Sequence, residues 1–256
     1  MENNRKTILI IAIIILLGLA IYLNRSYAHI YNKIGAANLK SPDQTETYLI
    51  ANNYMNNPAN FTYDALGDSL TAGVGTDNYN QAYPYLLAQS LTRSINGGGN
   101  IILTDRAAPG MRTSELLATA VPIAIADNPD IITLLIGVND IHDHVSPADF
   151  QKNYEEILSR LSSETKAKIY VINIPLLGAD ELLWPPYNFY FDARTRQFNR
   201  IIAELAATYD VNYIDLYAPT ANLFKKAGEH YSADLFHPSA SGYKIWADII
   251  YAGINK

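Results

Sequence analysis

The sequence predicts an α/β fold in which one parallel sheet is covered by helices on both faces. Strand-like and helix-like segments alternate from residue 61 to the end of the chain, and such alternation favours right-handed crossovers between parallel strands. The run Ile-Ile-Thr-Leu-Leu-Ile at 131–136 has no polar alternation, as expected for a strand buried on both faces. An uncharged run at 8–23 predicts a transmembrane helix before this fold.

The individual elements are predicted from length, apolar spacing and start signals. Short apolar runs bounded by turn residues predict strands, and longer runs with apolar residues three or four apart predict helices. Pro147 and Ser239 are typical of helix starts. The predicted strands are 61–66, 100–104, 131–136, 168–174 and 212–216. The predicted helices are 82–92, 113–126, 147–163, 190–209 and 239–255.

Composition excludes several classes of function. The 256 residues carry a formal net charge of −6 without a basic cluster, which argues against nucleic-acid binding. The chain has no cysteine, so disulfides, thiolate nucleophiles and cysteine-ligated metals are excluded. We expect a membrane anchor at 1–25, a tether at 26–60 with a short helix near 45–53, and a single domain at 61–256.

The N-terminal run is predicted to be a retained anchor. At about 1.5 Å per residue it reaches roughly 24 Å, close to the hydrocarbon thickness of a bilayer. A cleaved signal peptide is the alternative, since Ser26-Tyr27-Ala28 resembles a cleavage site, but Arg25 directly precedes it. Arg5 and Lys6 before the run favour a topology in which the N-terminus is inside and the domain that follows is extracytoplasmic.

Three short segments carry side chains suited to nucleophilic catalysis. Ser69 lies in Leu-Gly-Asp-Ser-Leu, directly after the first predicted strand. A serine attacks only when a base removes its proton, and His237, with Asp234 three residues earlier, can act as base and orienting carboxylate. Asn139, in Gly-Val-Asn-Asp after the third strand, can donate to an oxyanion. Taken singly, these residues could equally be a turn serine, a helix cap with an adjacent histidine, and a turn asparagine.

Together the blocks resemble the SGNH superfamily of GDSL-type hydrolases. The resemblance rests on Ser69 in Gly-Asp-Ser, Gly110 in the second block, Asn139 in Gly-x-Asn-Asp and His237 in Asp-x-x-His. It implies a flavodoxin-like three-layer α/β/α sandwich with a central parallel sheet, and a Ser69–His237–Asp234 triad. It also implies an oxyanion hole built from the Ser69 and Gly110 backbone and the Asn139 amide. One departure is Asp105, which stands where the second block often begins with asparagine.

The resemblance implies a serine esterase without cofactor or metal. A cell-surface tether makes lysophospholipids and O-acetylated envelope glycans the expected substrates, and a catalytically idle surface-binding module on the same fold is the rival. Trp184, Tyr187 and Phe189 lie in a proline-broken aromatic segment that could wall the site, pack as a surface loop or touch the membrane. The neighbouring histidines in Ile-His-Asp-His at 141–144 lack a further ligand cluster and favour a solvated loop over a metal site.

Overall fold

The computed structural model describes residues 2–42 and 46–255, and a six-stranded sheet forms its centre. The strands are β1 (Thr47–Ile50), β2 (Asn60–Gly67), β3 (Asn100–Ala107), β4 (Ile131–Leu135), β5 (Lys168–Ile172) and β6 (Asn212–Ile214). Their order in the sheet is β1-β3-β2-β4-β5-β6. Strands β2 to β6 run parallel, and β1 pairs antiparallel with β3 at one edge. The predicted α/β class with a mostly parallel sheet is therefore confirmed.

Helices form most of the remaining regular structure of the described residues. They are α1 (Glu2–Ala37), α2 (Tyr83–Ser94), α3 (Thr113–Ala118), α4 (Ala120–Asp127), α5 (Val138–His142), α6 (Pro147–Glu164), α7 (Tyr187–Thr208), α8 (Tyr217–Thr220) and α9 (Ala240–Ile254). Helix α2 packs on α9, while α6 packs on α3, α4 and α7. Ser146 and Ser239 cap α6 and α9 by accepting hydrogen bonds from the backbone N–H groups of Asp149 and Gly242.

Two elements differ from the sequence prediction. The predicted helix at 113–126 is divided at Thr119, because Pro122 cannot donate to the carbonyl of Ala118 and its ring crowds that oxygen. The prediction of a helix near 45–53 is wrong for the residues that the structure describes, because Thr47–Ile50 form strand β1. Thr45, where the predicted helix begins, lies outside the described residues. The free edge of β3 supplies hydrogen-bond partners for these four residues, which a helix could not use.

Helix α1 is longer than the predicted span and has two different surroundings. From Ile8 to Ile21 its large apolar side chains are 47–67% exposed, so no described residue covers them. Over Asn4–Ala37, the helix is long and apolar enough to cross a membrane, although a signal sequence would pass the same test. Beyond Ile21, Ser26 and Ile30 are buried against the body. The sequence-based boundaries at 25/26 and 60/61 remain predictions.

The sheet brings three loops together at one edge. Gly67, the last residue of β2, is paired with Ala107 of β3 on one side and with Leu135 of β4 on the other. The chain that follows each strand therefore leaves the sheet next to the other two. In open parallel sheets, ligands bind beyond these carboxyl ends.

Candidate active site

The turn after β2 presents Ser69 at the edge of the sheet. A side chain at Gly67 would place its Cβ 2.1 Å from Thr71 Oγ1 and 2.5 Å from the Leu135 carbonyl oxygen, so only glycine fits there. The Asp68 carboxylate accepts a hydrogen bond from the Leu70 backbone N–H at 3.0 Å, which stabilises the turn. Ser69 itself is only 8% exposed.

A continuous chain of hydrogen bonds joins Ser69 to two residues of the loop before α9. Ser69 Oγ lies 2.9 Å from His237 Nε2, and His237 Nδ1 lies 2.6 Å from Asp234 Oδ2. The other carboxylate oxygen, Oδ1, accepts the backbone N–H groups of Phe236 and His237, each at 2.9 Å. The three side chains that the sequence singled out are thus within direct hydrogen-bonding reach, in the order required for general-base activation of a serine.

The environment of Asp234 favours its charged form. Asp234 is 1% exposed, and burial alone would raise its pKa. The hydrogen bond and charge interaction with His237, together with the two backbone N–H donors, outweigh burial and hold the pKa of Asp234 below its usual value. The carboxylate is therefore ionised at neutral pH and can accept a hydrogen bond from His237 Nδ1–H, which leaves Nε2 facing Ser69 as an acceptor.

Hydrogen-bond donors converge on the same space. Asn139 uses one amide hydrogen to bond the Met111 carbonyl oxygen at 3.0 Å, so its second amide hydrogen remains for a ligand. Gly110 has φ +82°, a left-handed conformation that most residues avoid. The backbone N–H groups of Ser69 and Gly110 donate to no other group within residues 2–42 and 46–255. Donors of this kind suit a negatively charged oxygen.

Asp140 supports this arrangement, and it was not singled out from the sequence. Its buried carboxylate accepts hydrogen bonds from the Thr113 backbone N–H at 3.0 Å and from Thr113 Oγ1 at 2.5 Å. These bonds tie the start of α3, close to Gly110, to helix α5, which carries Asn139. The Gly-Val-Asn-Asp block contained the signal, because an aspartate next to the amide is well placed to hold the neighbouring loop.

These groups open into a cavity of about 440 Å³ that contains Ser69, Gly110, Asn139 and His237. The N-terminal segment supplies another part of its wall, through the residues Ile34, Leu39, Lys40 and Ser41. This wall was not foreseen from the sequence.

The aromatic candidates lie elsewhere. Trp184 stacks on the His29 ring of α1 with centroids 4.2 Å apart, and the Tyr187 hydroxyl donates to the Leu23 carbonyl oxygen at 3.3 Å. Phe189 is exposed. None of Trp184, Tyr187 and Phe189 lines the cavity with Ser69. Because their segment contacts α1, the structure favours a loop packed on the protein surface over a wall of the active site.

The histidines at 142 and 144 differ in their surroundings. His142 lines the cavity, and burial lowers its pKa despite the charge of neighbouring Asp143. His144 Nδ1 lies 3.0 Å from the Tyr190 hydroxyl. Within the described parts of the chain, no three histidine, aspartate or glutamate side chains form a group that could hold a metal.

The departure at Asp105 leaves local loop bonding in place. Its Oδ1 accepts the Ala107 backbone N–H at 3.1 Å, as an asparagine oxygen could. Burial raises the pKa of Asp105 to about 7, against the lowering effect of that hydrogen bond. The carboxyl group therefore resists ionisation, which fits a site built for a neutral side chain.

Comparison with known proteins identifies the family. The model of the GDSL-like lipase/acylhydrolase family matches residues 65–245, which include all four blocks. The chain belongs to this family. It is therefore a serine hydrolase that acts on ester bonds, and the resemblance seen in the sequence is confirmed.

The family assignment agrees with a full-length relative and with solved structures. The spore germination lipase LipC of Bacillus licheniformis is 28% identical over 210 residues, which cover 74% of this chain and 94% of that protein. The lipase/acylhydrolase from Enterococcus faecalis superposes with a TM-score of 0.62 at 22% identity, covering 76% of this chain and 95% of its own. Axe2, an acetylxylan esterase from Geobacillus stearothermophilus, gives 0.60 at 18% identity, covering 77% and 94%. The two structures show that the fold is shared.

Proposed function

We propose that the protein is a membrane-anchored esterase that uses Ser69, His237 and Asp234 as a catalytic triad. The observation that carries the proposal is the hydrogen-bond chain from Asp234 through His237 to Ser69 Oγ, which ends in a cavity also lined by Gly110 and Asn139. Ser69 follows β2, whereas His237 and Asp234 lie in the loop before α9. Their meeting at hydrogen-bond distances across the sheet edge supports a shared chemical task.

In the first half of the reaction, Ser69 Oγ attacks the carbonyl carbon of an ester. His237 Nε2 takes the hydroxyl proton as the new C–O bond forms, and Asp234 stabilises the resulting imidazolium. The carbonyl oxygen becomes an oxyanion, which receives hydrogen bonds from the Ser69 and Gly110 backbone and the Asn139 amide. Collapse of this intermediate breaks the ester C–O bond, and His237 delivers the proton to the leaving alcohol.

In the second half, water replaces the alcohol. His237 removes a proton from the water, whose oxygen attacks the acyl carbon. The tetrahedral intermediate then releases the carboxylic acid and returns the proton to Ser69. The residues present are sufficient for both halves of the reaction.

An idle binding module is the weaker alternative. A module that had lost catalysis would have no need for a buried, ionised carboxylate hydrogen-bonded to an imidazole, since burying such a charge is costly unless it serves a purpose. The intact chain from Asp234 to Ser69 therefore supports the enzyme.

The anchor is proposed to remain part of the mature protein. Ser26, in the segment that resembles a cleavage site, is buried, and the helix continues through it. Cleavage after Ala28 would remove this buried residue and the Tyr22 hydroxyl that donates to the Pro185 carbonyl oxygen at 2.7 Å, so these contacts with the body support a retained helix. An anchored enzyme would meet esters at the membrane surface, and lysophospholipids and O-acetylated envelope glycans remain the proposed substrates.

A fluorophosphonate reporter, which reacts with activated serines, tests the enzyme proposal. We expect wild-type protein to be labelled and to hydrolyse p-nitrophenyl acetate. Ser69→Ala should abolish labelling and lower kcat/KM by about 10⁴-fold or more, with an unchanged circular dichroism spectrum. Ser90, a half-buried serine of α2 that does not line the catalytic cavity, provides a control substitution to alanine that should retain full activity. A folded Ser69→Ala variant with activity within tenfold of wild type would overturn the mechanism.

A further inference from the structure

The end of the anchor helix forms part of the catalytic cavity. Ile34 lies in the fourth-last position of α1 and shares the 440 Å³ cavity with Ser69 and His237. Leu39 and Lys40 continue the same wall just beyond the helix. A segment predicted from the sequence to be a tether thus lines the same cavity as the nucleophile.

A second, apolar pocket lies beside the cavity beneath α1. Its free volume is only about 10 Å³, and Ile30, Leu177, Leu183 and Phe191 line it. Space of this size admits about one water molecule, so the pocket is almost filled in the present arrangement.

Three side chains separate the two spaces. Ile34, His142 and Phe236 line both the catalytic cavity and the apolar pocket. His142 and Phe236 adjoin the site residues on α5 and on the loop before α9, whereas Ile34 comes from the anchor helix. Ile34 is therefore the part of this boundary that α1 supplies.

Specific contacts hold this part of α1 in place. The Tyr22 hydroxyl donates to the Pro185 carbonyl oxygen at 2.7 Å, and His29 Nε2 lies 3.0 Å from the Glu181 carbonyl oxygen. Ile30, one turn before Ile34, is 2% exposed. These buried and hydrogen-bonded residues on the preceding turns place the half-buried Ile34 against the body.

We propose that Ile34 is a specificity-determining residue that limits the length of the apolar chain accepted by the active site. The proposal rests on the esterase function proposed above. A short ester fits within the cavity, and each further methylene must pass between Ile34, His142 and Phe236 toward the apolar pocket. A membrane anchor thereby sets the substrate range as well as the location of the enzyme.

Substitutions that change only the size of residue 34 test the proposal in full-length protein in detergent. Ile34→Ala joins the two spaces, so the kcat/KM ratio of p-nitrophenyl octanoate to p-nitrophenyl acetate should rise about tenfold. Ile34→Trp blocks the passage, and the ratio should fall by about tenfold; one to two methylene groups commonly contribute discrimination of this size. A parallel series of ethyl and octyl acetate varies the alcohol instead of the acyl chain.

The matched control is Ala36→Trp, which adds a bulky side chain at an exposed position of the same helix. Its two ratios should equal those of wild type. Rates are normalised to the amount of protein labelled by the fluorophosphonate reporter, so that unfolded protein does not enter the comparison. Since all variants share one detergent, its partitioning of long esters cancels in the comparison.

The outcomes separate this proposal from the esterase function. A shift in either series with opposite signs for alanine and tryptophan supports the proposal, and the series that shifts identifies the acyl or the alcohol chain. Unchanged ratios in both series, with normal labelling and acetate hydrolysis, would overturn the role of Ile34 alone. A wild-type protein that is neither labelled nor active on any ester would instead overturn the esterase function.

Discussion

Replacing Asp234 with asparagine should invert the proton arrangement of His237. The carboxylate has two oxygens with different tasks: Oδ1 accepts two backbone N–H groups, and Oδ2 accepts from His237 Nδ1. An asparagine has one acceptor oxygen, and two backbone donors require it at the Oδ1 position. Its NH₂ group would then face His237 Nδ1, which must become an acceptor and leave the ring proton on Nε2.

The predicted consequence is a large fall in kcat with little change in the folded structure. With a proton on Nε2, His237 cannot accept the Ser69 hydroxyl proton 2.9 Å away. A wrong tautomer of this kind lowers kcat by about 10⁴-fold in a serine protease triad, which corresponds to about 5 kcal/mol at about 1.4 kcal/mol for each factor of ten. The loop should stay folded because both backbone N–H bonds to the Oδ1 position persist.

The assay is p-nitrophenyl acetate hydrolysis together with the rate of fluorophosphonate labelling, and both should fall in parallel. Asp248→Asn is the matched control, because Asp248 lies on the exposed side of α9 and pairs only with Lys244 among the described groups. Thermal melting should show similar transitions for both variants. A folded Asp234→Asn enzyme within tenfold of wild-type kcat would refute the argument that this carboxylate sets the tautomer.

Three further results are expected. Asn139→Ala should lower kcat for p-nitrophenyl acetate by about 10²- to 10³-fold, the usual effect of losing one oxyanion donor; an unchanged kcat would limit Asn139 to its bond with the Met111 carbonyl. Because burial raises the pKa of Asp105 to about 7 from 3.8, the unfolded chain loses this proton first, and stability should fall as pH rises from about 4 to about 7. The difference in melting temperature, Asp105→Asn minus wild type, should therefore be larger at pH 8 than at pH 5. An equal difference at both pH values would contradict a raised pKa of the buried Asp105 carboxyl group. Full-length protein should remain in carbonate-washed membranes, and N-terminal sequencing that finds a mature start at His29 would contradict the retained anchor. A chain starting at Arg25 should be soluble and keep its preference for ester chain length. A chain starting at Glu46, which lacks Ile34, should lose that preference.

The alternation of strands and helices was readable from the sequence because it depends on local patterns. The strand at Ile131–Leu135 is buried at every position, and its unbroken apolar run already indicated burial on both faces. The candidate site residues Ser69, Asn139 and His237 could also be predicted from the sequence, because each follows or precedes a recognisable element and parallel strands gather their carboxyl ends at one edge. The break before Pro122 was predictable in principle from the missing N–H, but the apolar spacing around it concealed the break.

The N-terminal segment shows what only the tertiary structure decided. The stripe Ser26, Ile30 and Ile34 has helical spacing, yet three residues are too few to indicate which surface they will cover. Likewise, Thr47–Ile50 became a strand because β3 had an unpaired edge, a partner that lies more than fifty residues away in the chain. Local sequence sets what a segment can form, but burial and pairing depend on surfaces that exist only once distant segments have folded together. For that reason the sequence could predict which residues carry the chemistry, whereas only the tertiary structure showed that the end of the N-terminal helix lines the same cavity.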